Sequence, residues 1–328
     1  MQQGEENATV PLVSVIIPAY LSAQFIGPTI DSVLAQTFQN FEIIVVNDGS
    51  PDSEGLEKAL EPYRARIRYL RQENRGLAGA RNTGILASRG EYIAPLDSDD
   101  RWLPEHLAAQ LAVLEADKSI DMVYADARIF GDVPEAGRTL MQLSPPRGEV
   151  SFERLVRREC VVHVCVCLIR KEILLRAGLF DPALRRTEDI DMWLRITLHG
   201  GRICYQRRVL GEYCRRAGSL SSDYVRMRES YVSVLTKVAR TPGLSAARRE
   251  VAERQILVER AQLEFEKGKD AFLASDAEGA IRHLSLANTQ LKSWRVAMIL
   301  LLLRAAPGFL QFLYQARNGK ALRLRPPP

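Results

Sequence analysis

The first half of the chain alternates between short, largely apolar runs and stretches in which apolar residues recur at helical spacing. The runs 13–17, 41–46 and 91–96 have the composition of strands that are buried on both faces of a sheet. Between them, segments such as 26–37 and 76–88 carry apolar residues three or four positions apart, or are rich in alanine. This alternation predicts βαβ units and therefore an α/β fold with a mostly parallel, Rossmann-like sheet flanked by helices.

The alternation of predicted strands and helices ends near residue 223. Further strands are predicted at 121–130, 161–169 and 202–213. Within 161–169, Cys165 and Cys167 stand two positions apart, which predicts that both lie on one face of a buried strand. From Asp223 the pattern is helical, with a helical pair at 251–274 and 276–291. We therefore expect a first domain over 12–222 and an all-helical C-terminal region over 223–328.

Polar clusters follow three of the predicted strands, at Ala19-Tyr20, at Asp48 and at Asp97-Ser98-Asp99-Asp100. Parallel sheets bind ligands beyond the carboxyl ends of their strands, so these clusters are expected to meet in one crevice. Three carboxylates within four residues repel one another, and a divalent cation would relieve that repulsion. Mg²⁺ and Mn²⁺ prefer such oxygen ligands and are often completed by substrate phosphates. The alternative for this cluster is a solvated turn that caps a helix.

Composition and absent motifs exclude several classes of protein. The chain is 46% hydrophobic and 26% charged, as ordinary globular proteins are. No Gly-x-Gly-x-x-Gly follows the first strand and no Gly-Lys-Ser/Thr occurs, which disfavours dinucleotide-binding enzymes and P-loop NTPases. The five cysteines lack zinc-site spacing and suggest a reducing compartment. Residues 1–9 are polar and acidic, so we expect no secretory signal and a cytoplasmic location.

Taken in order and spacing, the motifs of residues 12–222 resemble those of a family 2 glycosyltransferase. They are VSVIIPAY at 13–20, EIIVVNDGS at 42–50, NRG at 74–76, ARN at 80–82, GEYI at 90–93, DSDD at 97–100, GLFD at 178–181, EDIDMW at 188–193 and GSLS at 218–221. Each motif alone is weak, but the ordered set is specific. The resemblance implies a GT-A fold, a nucleotide-diphosphosugar donor, a divalent metal (Mn²⁺ or Mg²⁺) and inversion at the anomeric carbon.

The resemblance also implies roles for residues at the strand ends. Ala19 and Tyr20 would line the nucleoside pocket, and Asp48 would face the base. Arg81 would lie near the nucleotide, and Asp97 would contact the ribose side. For Asp48, an Asx-turn is the alternative role.

The remaining implied roles concern the metal, the base and the diphosphate. Asp99 would reach the metal, and Asp189 would be the general base, with its neighbour Glu188 as the less favoured candidate; helix capping is the alternative for Asp189. Thr187 is by type a good N-cap for the helix predicted to open here, and the acidic residues that follow suit the dipole of its first turn. Relatives often carry a His two residues before the Gly-Ser-Leu-Ser segment, where this chain has Arg216, which can hold phosphate bidentately. Relatives also often have Asn where this chain has Leu21.

The resemblance thus implies a hexosyltransferase that acts on a glycan or lipid-linked acceptor in cell-surface or exopolysaccharide synthesis. The chemistry independently needs one carboxylate near the metal and another to take the proton of the attacking hydroxyl. The alternative is a catalytically silent nucleotide-sugar-binding or scaffold protein on the same fold. The intact carboxylates Asp97, Asp99, Glu188 and Asp189 argue against that alternative.

The C-terminal tail is basic and partly apolar. Residues 279–328 contain no Asp or Glu but eight Lys or Arg, and the run 296–303 is apolar throughout. This run is shorter than the roughly 20 residues that a spanning helix needs. A peripheral helix on the anionic inner face of the membrane and a buried helix of the second domain remain the main alternatives. Nucleic acid is not expected as a partner, because aromatic and basic residues are not interleaved.

Overall fold

The chain divides into two units, residues 1–222 and residues 223–328. The first unit is built around a mixed β-sheet. The computed structural model describes residues 10–216, 219, 223–306 and 308. Among these residues the first unit contains an eight-stranded sheet in the order β3-β2-β1-β4-β7-β6-β8-β5. The strands are β1 Val13–Ala19, β2 Phe41–Asp48, β3 Arg68–Gln72, β4 Tyr92–Pro95, β5 Arg101–Trp102, β6 Met122–Phe130, β7 Cys167–Arg170 and β8 Ile203–Cys214.

The sheet is parallel on one side and mixed on the other. Strands β3, β2, β1 and β4 run parallel to one another. Strand β7 is antiparallel to both of its neighbours, β4 and β6, while β8 runs parallel to β6 and pairs with the short β5 in the antiparallel sense. The predicted βαβ half is therefore confirmed, and its strand ends lie at one edge, where the polar clusters were expected.

Helices cover both faces of the parallel half. The helices of the first unit are α1 Ile26–Leu34, α2 Ser53–Leu60, α3 Gly76–Ala87, α4 His106–Ala116, α5 Leu140–Leu143, α6 Phe152–Val156, α7 Lys171–Arg176 and α8 Glu188–Leu198. Apolar residues of α1 and α2 share a buried cluster with Val13, Val15 and Ile17 of β1. Helix α3 lies on the other face, so close that a Cβ on Gly84 would come within 2.4 Å of Ile16. This contact fixes α3, which carries Arg81, against the central strand.

The predicted strand over 161–169 is wrong in its first half. Residues 164–166 form a 3-10 turn, and the strand begins only at Cys167. Cys165 and Cys167 are both buried but do not share a strand face, as had been expected. Side chains replace the strand pairing, since Trp102 Nε1 donates to the carbonyl of Cys165 (2.6 Å) and Gln110 Nε2 to that of Val166 (2.7 Å). The backbone groups are thereby satisfied without a neighbouring strand.

The second unit is helical over its described residues. Its helices are α9 Tyr224–Ala239, α10 Ala246–Leu273, α11 Ala277–Leu291 and α12 Trp294–Ala305. The predicted helical pair corresponds to α10 and α11. Helix α12 buries Val296, Leu300 and Leu303 against Ala280 and Leu284 of α11.

The apolar run 296–303 lies within α12, whereas residues 307 and 309–328 of the tail lie outside the described part of the chain. Within 10–216 and 223–306, no helix has both the length and the apolar character needed to cross a bilayer. A spanning helix among these residues is thus not found. Part of α12 is buried in the second unit, as one of the two main alternatives predicted.

Candidate active site

Three neighbouring strand ends bring the first set of predicted residues together. Ala19 at the end of β1 pairs in register with Asn47, so Tyr20 and Asp48 follow side by side. The backbone N–H of Leu96 donates to the carbonyl of Ile16 (2.9 Å), which carries the chain of β4 alongside β1 up to the carboxylate cluster. The polar residues at these strand ends therefore lie together at this edge of the sheet.

Asp48 is buried and holds the connection between β3 and α3. Its Oδ1 accepts hydrogen bonds from Gln72 Nε2 (2.6 Å) and from the backbone N–H of Arg75 (2.8 Å). The turn at this corner is held by Asn47 instead, whose Oδ1 accepts from the backbone N–H of Ser50 (2.9 Å). Ala19 is fully buried, whereas the Tyr20 side chain is half exposed. Tyr20 is thus the more accessible of the two residues for a planar ligand.

Arg81 is buried and joins two distant carboxylates. Its Nη2 donates to Asp97 Oδ1 (2.6 Å) and its Nη1 to Glu188 Oε1 (2.5 Å), while the guanidinium lies 5.5 Å from the ring centre of Phe180. Asp97 follows β4 and Glu188 opens α8, so this one side chain ties the strand edge to the helix. Burial of a charge without partners is costly, and the two carboxylates compensate the guanidinium.

Asp99 faces a different cation. Arg216 Nη2 donates to its Oδ2 at 3.2 Å, and the Arg216 guanidinium lies 4.3 Å from the ring centre of Phe25. Burial and the neighbouring Asp97 raise the pKa of Asp99 above its ordinary value, against the opposing effect of Arg216. Arg81 is the counter-ion of both Asp97 and Glu188, and Arg216 is that of Asp99, so these carboxylates outnumber their two described cations.

This charge balance is suited to a divalent cation. The side chains of Asp97 and Asp99 are 25% and 24% exposed, so both reach solvent. Asp100 is buried, and its Oδ1 accepts from the backbone N–H of Cys214 (2.7 Å), which gives it a structural role. Over the described ranges, no cluster of three or more His, Cys, Asp or Glu could hold a metal ion by itself. Two carboxylates are the protein share expected of a cation that substrate phosphates complete.

Asp189 stands at the start of α8 beside Glu188. Its Oδ1 accepts from the backbone N–H of Ile190 (2.8 Å). Burial, with a further contribution from the charge of Glu188, raises the pKa of Asp189 to about 7, although Arg81 acts in the opposite direction. A carboxylate with such a pKa is able to accept a proton near neutral pH.

Thr187 precedes α8 but does not cap it with its side chain, contrary to prediction. Its backbone is left-handed (φ 57°), and its hydroxyl donates to the carbonyl of Arg186 (2.6 Å) rather than accepting from the helix. A β-branched residue rarely adopts this conformation. The first turn of α8 contains the acidic residues Glu188, Asp189 and Asp191, as expected. Their negative charges are stabilised by the positive end of the helix dipole.

Two residues of the site were not assigned a role from sequence. Asn82 donates through Nδ2 to the carbonyl of Phe180 (2.7 Å) and accepts at Oδ1 from its N–H (2.9 Å), so it fastens α3 to the segment before α8. Its place directly after Arg81 in the ARN motif was the available clue. No sequence pattern pointed to Phe25 as the platform for Arg216. Of the Gly-Ser-Leu-Ser segment, only Ser219 belongs to the described residues.

The family and the fold are matched in known proteins. Residues 14–176 fit the family model described as glycosyl transferase family 2. This chain belongs to glycosyltransferase family 2. An uncharacterized glycosyltransferase of Rickettsia felis is 35% identical over 195 residues, which are 58% of this chain and 32% of that protein. This glycosyltransferase chain thus spans about a third of the length of that relative.

Solved structures show that the family 2 chain has the GT-A fold. S. aureus TarS, residues 1–349 in complex with UDP-GlcNAc, superposes with a TM-score of 0.61 at 19% identity and covers 94% of this chain and 92% of that one. The mannosyltransferase PcManGT from Pyrobaculum calidifontis, in complex with GDP-Man and Mn²⁺, gives a TM-score of 0.61 at 19% identity, covering 92% and 83%. The predicted family and fold are therefore confirmed.

Proposed function

We propose that this family 2 protein is an inverting, metal-dependent glycosyltransferase. It would move a hexose from a nucleotide-diphosphosugar to a hydroxyl of a glycan or lipid-linked acceptor in cell-surface or exopolysaccharide synthesis. The observation that supports this most strongly is the position of Arg81, which joins Asp97 of the carboxylate cluster to Glu188 beside Asp189. The two carboxylate stations that glycosyl transfer requires thereby belong to one connected site.

The donor would occupy the strand edge. Its base would lie near Tyr20 and Asp48 over the backbone at Ala19, and its ribose near Asp97. TarS was solved with UDP-GlcNAc and PcManGT with GDP-Man, and both share the fold of this chain, which supports a nucleotide sugar here. Arg81 would act indirectly, since both of its described ion pairs go to protein carboxylates.

The diphosphate would meet Asp99 through a cation. Asp99, with Asp97 beside it, would hold Mn²⁺ or Mg²⁺, and the phosphates of the donor would complete the coordination. When bound, such an ion neutralises the charge that develops on the leaving diphosphate. Arg216 is the nearest described cation to Asp99 and would bind a phosphate oxygen. The Mn²⁺ in the PcManGT complex supports this assignment.

Asp189 would serve as the general base. An acceptor hydroxyl oxygen attacks the anomeric carbon, the bond from that carbon to the phosphate oxygen breaks, and the hydroxyl proton passes to the Asp189 carboxylate. A single displacement of this kind inverts the anomeric configuration. Glu188 is engaged by Arg81 at 2.5 Å, so it would position the start of α8 rather than take the proton.

Product release gives a direct test of this function. Purified protein with Mn²⁺ and a panel of UDP-, GDP- and dTDP-sugars should show a thermal shift with one donor, because ligand binding stabilises by mass action. That donor should then release nucleoside diphosphate when an acceptor is added. Asp189→Asn should retain the thermal shift and lose roughly 10²- to 10⁴-fold in turnover, the usual contribution of a general base.

The matched variant Glu188→Gln separates the two candidate bases. If Glu188→Gln is inactive while Asp189→Asn loses less than about fivefold, far below the usual general-base effect, the base is Glu188. Binding of a donor without release of diphosphate over a panel of glycan and lipid-linked acceptors would instead favour the silent sugar-binding protein.

We also propose a cytoplasmic location with peripheral contact to the inner face of the cell membrane. The acid-free, basic residues 279–328 support this partner. No contact with nucleic acid is proposed.

A further inference from the structure

Helix α12 has two apolar sides, and only one of them is covered by the second unit. Val296, Leu300 and Leu303 are buried against α11. The opposite side presents four large apolar residues that are exposed: Trp294 (71%), Met298 (50%), Leu301 (62%) and Leu302 (39%). Their spacing of four, three and one positions places them in one stripe along the helix. We call these four residues the α12 stripe.

Cationic residues flank this stripe. At about 100° per residue, Arg295 projects beside Leu302 and Arg304 beside Leu301, on opposite edges of the stripe. The Arg295 guanidinium lies 5.6 Å from the ring centre of Trp294, and Arg304 Nη2 donates to Ser285 Oγ on α11 (3.3 Å). These contacts hold both cations near the helix surface.

The charged residues of this part of the sequence have one sign. Residues 279–328 contain eight Lys or Arg and no acidic residue. Two copies of this surface would repel each other, so self-association through it is disfavoured. An anionic lipid surface attracts the cations and accepts the apolar side chains together, and an exposed Trp is suited to the boundary between headgroup and hydrocarbon.

We propose that the α12 stripe, with Arg295 and Arg304, docks the protein on an anionic lipid bilayer. The helix would lie in the plane of the interface with Trp294, Met298, Leu301 and Leu302 below the headgroups. In its purpose this inference rests on the proposed function, because docking would bring the transferase to an acceptor that is itself carried by lipid.

Flotation with vesicles of two compositions tests the surface. The full chain should float with vesicles of equimolar phosphatidylcholine and phosphatidylglycerol and not with phosphatidylcholine alone. High salt should weaken the binding, because it screens the cations beyond a Debye length, but should not abolish it, because apolar insertion remains. The double substitution Trp294→Ser/Leu301→Ser should lower the bound fraction by about tenfold, as expected when two exposed apolar anchors are removed.

Leu257→Ser is the matched control, since Leu257 is 49% exposed on α10 away from the stripe. It should bind vesicles as the parent does. Equal binding by the stripe variant, or no binding by the parent at low salt, overturns the proposal. Sedimentation that shows a dimer lost in the stripe variant would assign the surface to a second copy and also overturn it.

A separate readout isolates this inference from the proposed function. Release of nucleoside diphosphate with a soluble sugar acceptor, in the absence of vesicles, should be equal in the parent and in Trp294→Ser/Leu301→Ser. Failure of release in both with normal vesicle binding would count against the transferase function alone. Loss of release only in the stripe variant would show that the stripe supports the fold or the site, and would overturn the docking role.

Discussion

Arg81 Nη1 donates to Glu188 Oε1 at 2.5 Å, although the two residues are 107 positions apart in the chain. Both side chains are nearly inaccessible, at 1% and 6%. The pair fixes the start of α8, and with it Asp189, relative to the strand edge that carries Asp97 and Asp99. Removal of either partner of such a buried ion pair destabilises the fold strongly, because the other charge is left buried without compensation.

Arg81→Ala should therefore destabilise the protein strongly. Removal of the guanidinium leaves Glu188 buried without its cation and Asp97 without its partner, a change that typically costs about 3–5 kcal/mol. Urea unfolding at neutral pH measures this free energy. Arg81→Lys cannot reach both carboxylates with a planar fork, but it keeps the positive charge. It should therefore lower the free energy of unfolding less than Arg81→Ala does. A cost below about 1 kcal/mol for Arg81→Ala, the range of a surface pair, would contradict the buried-pair interpretation.

This pair also shows what the sequence could and could not predict. The strands β1 and β2 were predictable because both faces are buried and their residues are largely apolar. The position of Asp97 and Asp99 followed from the end of β4. The partner of Arg81 was not predictable, since it depends on how α8 packs against α3, a relationship that no local pattern records.

Two local predictions failed, each for its own physical reason. The run 161–169 has the composition of a strand, but its first half has no strand to pair with, and the side chains of Trp102 and Gln110 take its carbonyls. Thr187 is a good capping residue by type, yet its left-handed backbone turns the hydroxyl away from the helix. Tertiary contacts outweighed the local preference in the first case, and the backbone conformation did so in the second.

The pH dependence of catalysis should report Asp189. Its pKa is raised to about 7, chiefly by burial and then by Glu188, and the general base must be ionised to accept a proton. The ratio kcat/KM should therefore rise with pH through about 7 and level off above it. Measurement across this range at saturating Mn²⁺ is the test. The rise should be absent from the residual activity of Asp189→Asn, and its persistence there would assign the ionisation to another group.

The same group should make folding stability depend on pH. The folded-state pKa of Asp189, about 7, lies above the ordinary value of 3.8, so folding favours the protonated form. Its contribution to stability is complete below about pH 3.8 and is lost as the pH rises through about 7. Asp189→Asn should therefore unfold at a higher temperature than the parent at pH 8, and the difference should shrink towards pH 4.

Glu188→Gln is the informative comparison for that experiment. It removes the charge that faces Arg81, so it should lower the melting temperature at pH 8, where Asp189→Asn raises it. Equal effects of the two substitutions would mean that Asp189 is not held in a destabilised ionised form.

Arg216 and the metal should compete for Asp99. The guanidinium lies 3.2 Å from Asp99 Oδ2, with 42% of its side chain exposed, so it is a solvent-screened counter-ion that a divalent cation can displace. Without nucleotide, Arg216→Ala should bind Mn²⁺ up to about fivefold more tightly, because exposed pairs of this kind contribute about 0.2–1 kcal/mol. With nucleoside diphosphate present, the same variant should bind nucleotide about tenfold more weakly, because a charged hydrogen bond to phosphate is lost.

Calorimetry of Mn²⁺ alone, and of nucleoside diphosphate with Mn²⁺ present, measures both effects without relying on turnover. Arg216→Lys should fall between the parent and Arg216→Ala in each titration, since it keeps the charge but not the planar fork. Asp99→Asn should lose metal-dependent affinity in both. If Arg216→Ala weakens Mn²⁺ binding in the absence of nucleotide, Arg216 supports the metal site rather than competing with it. If Arg216 moves from Asp99 to the diphosphate, Arg216→Ala should strengthen Mn²⁺ binding without nucleotide and weaken nucleotide binding with Mn²⁺. These opposite effects on affinity would not be seen if Arg216 stayed on Asp99.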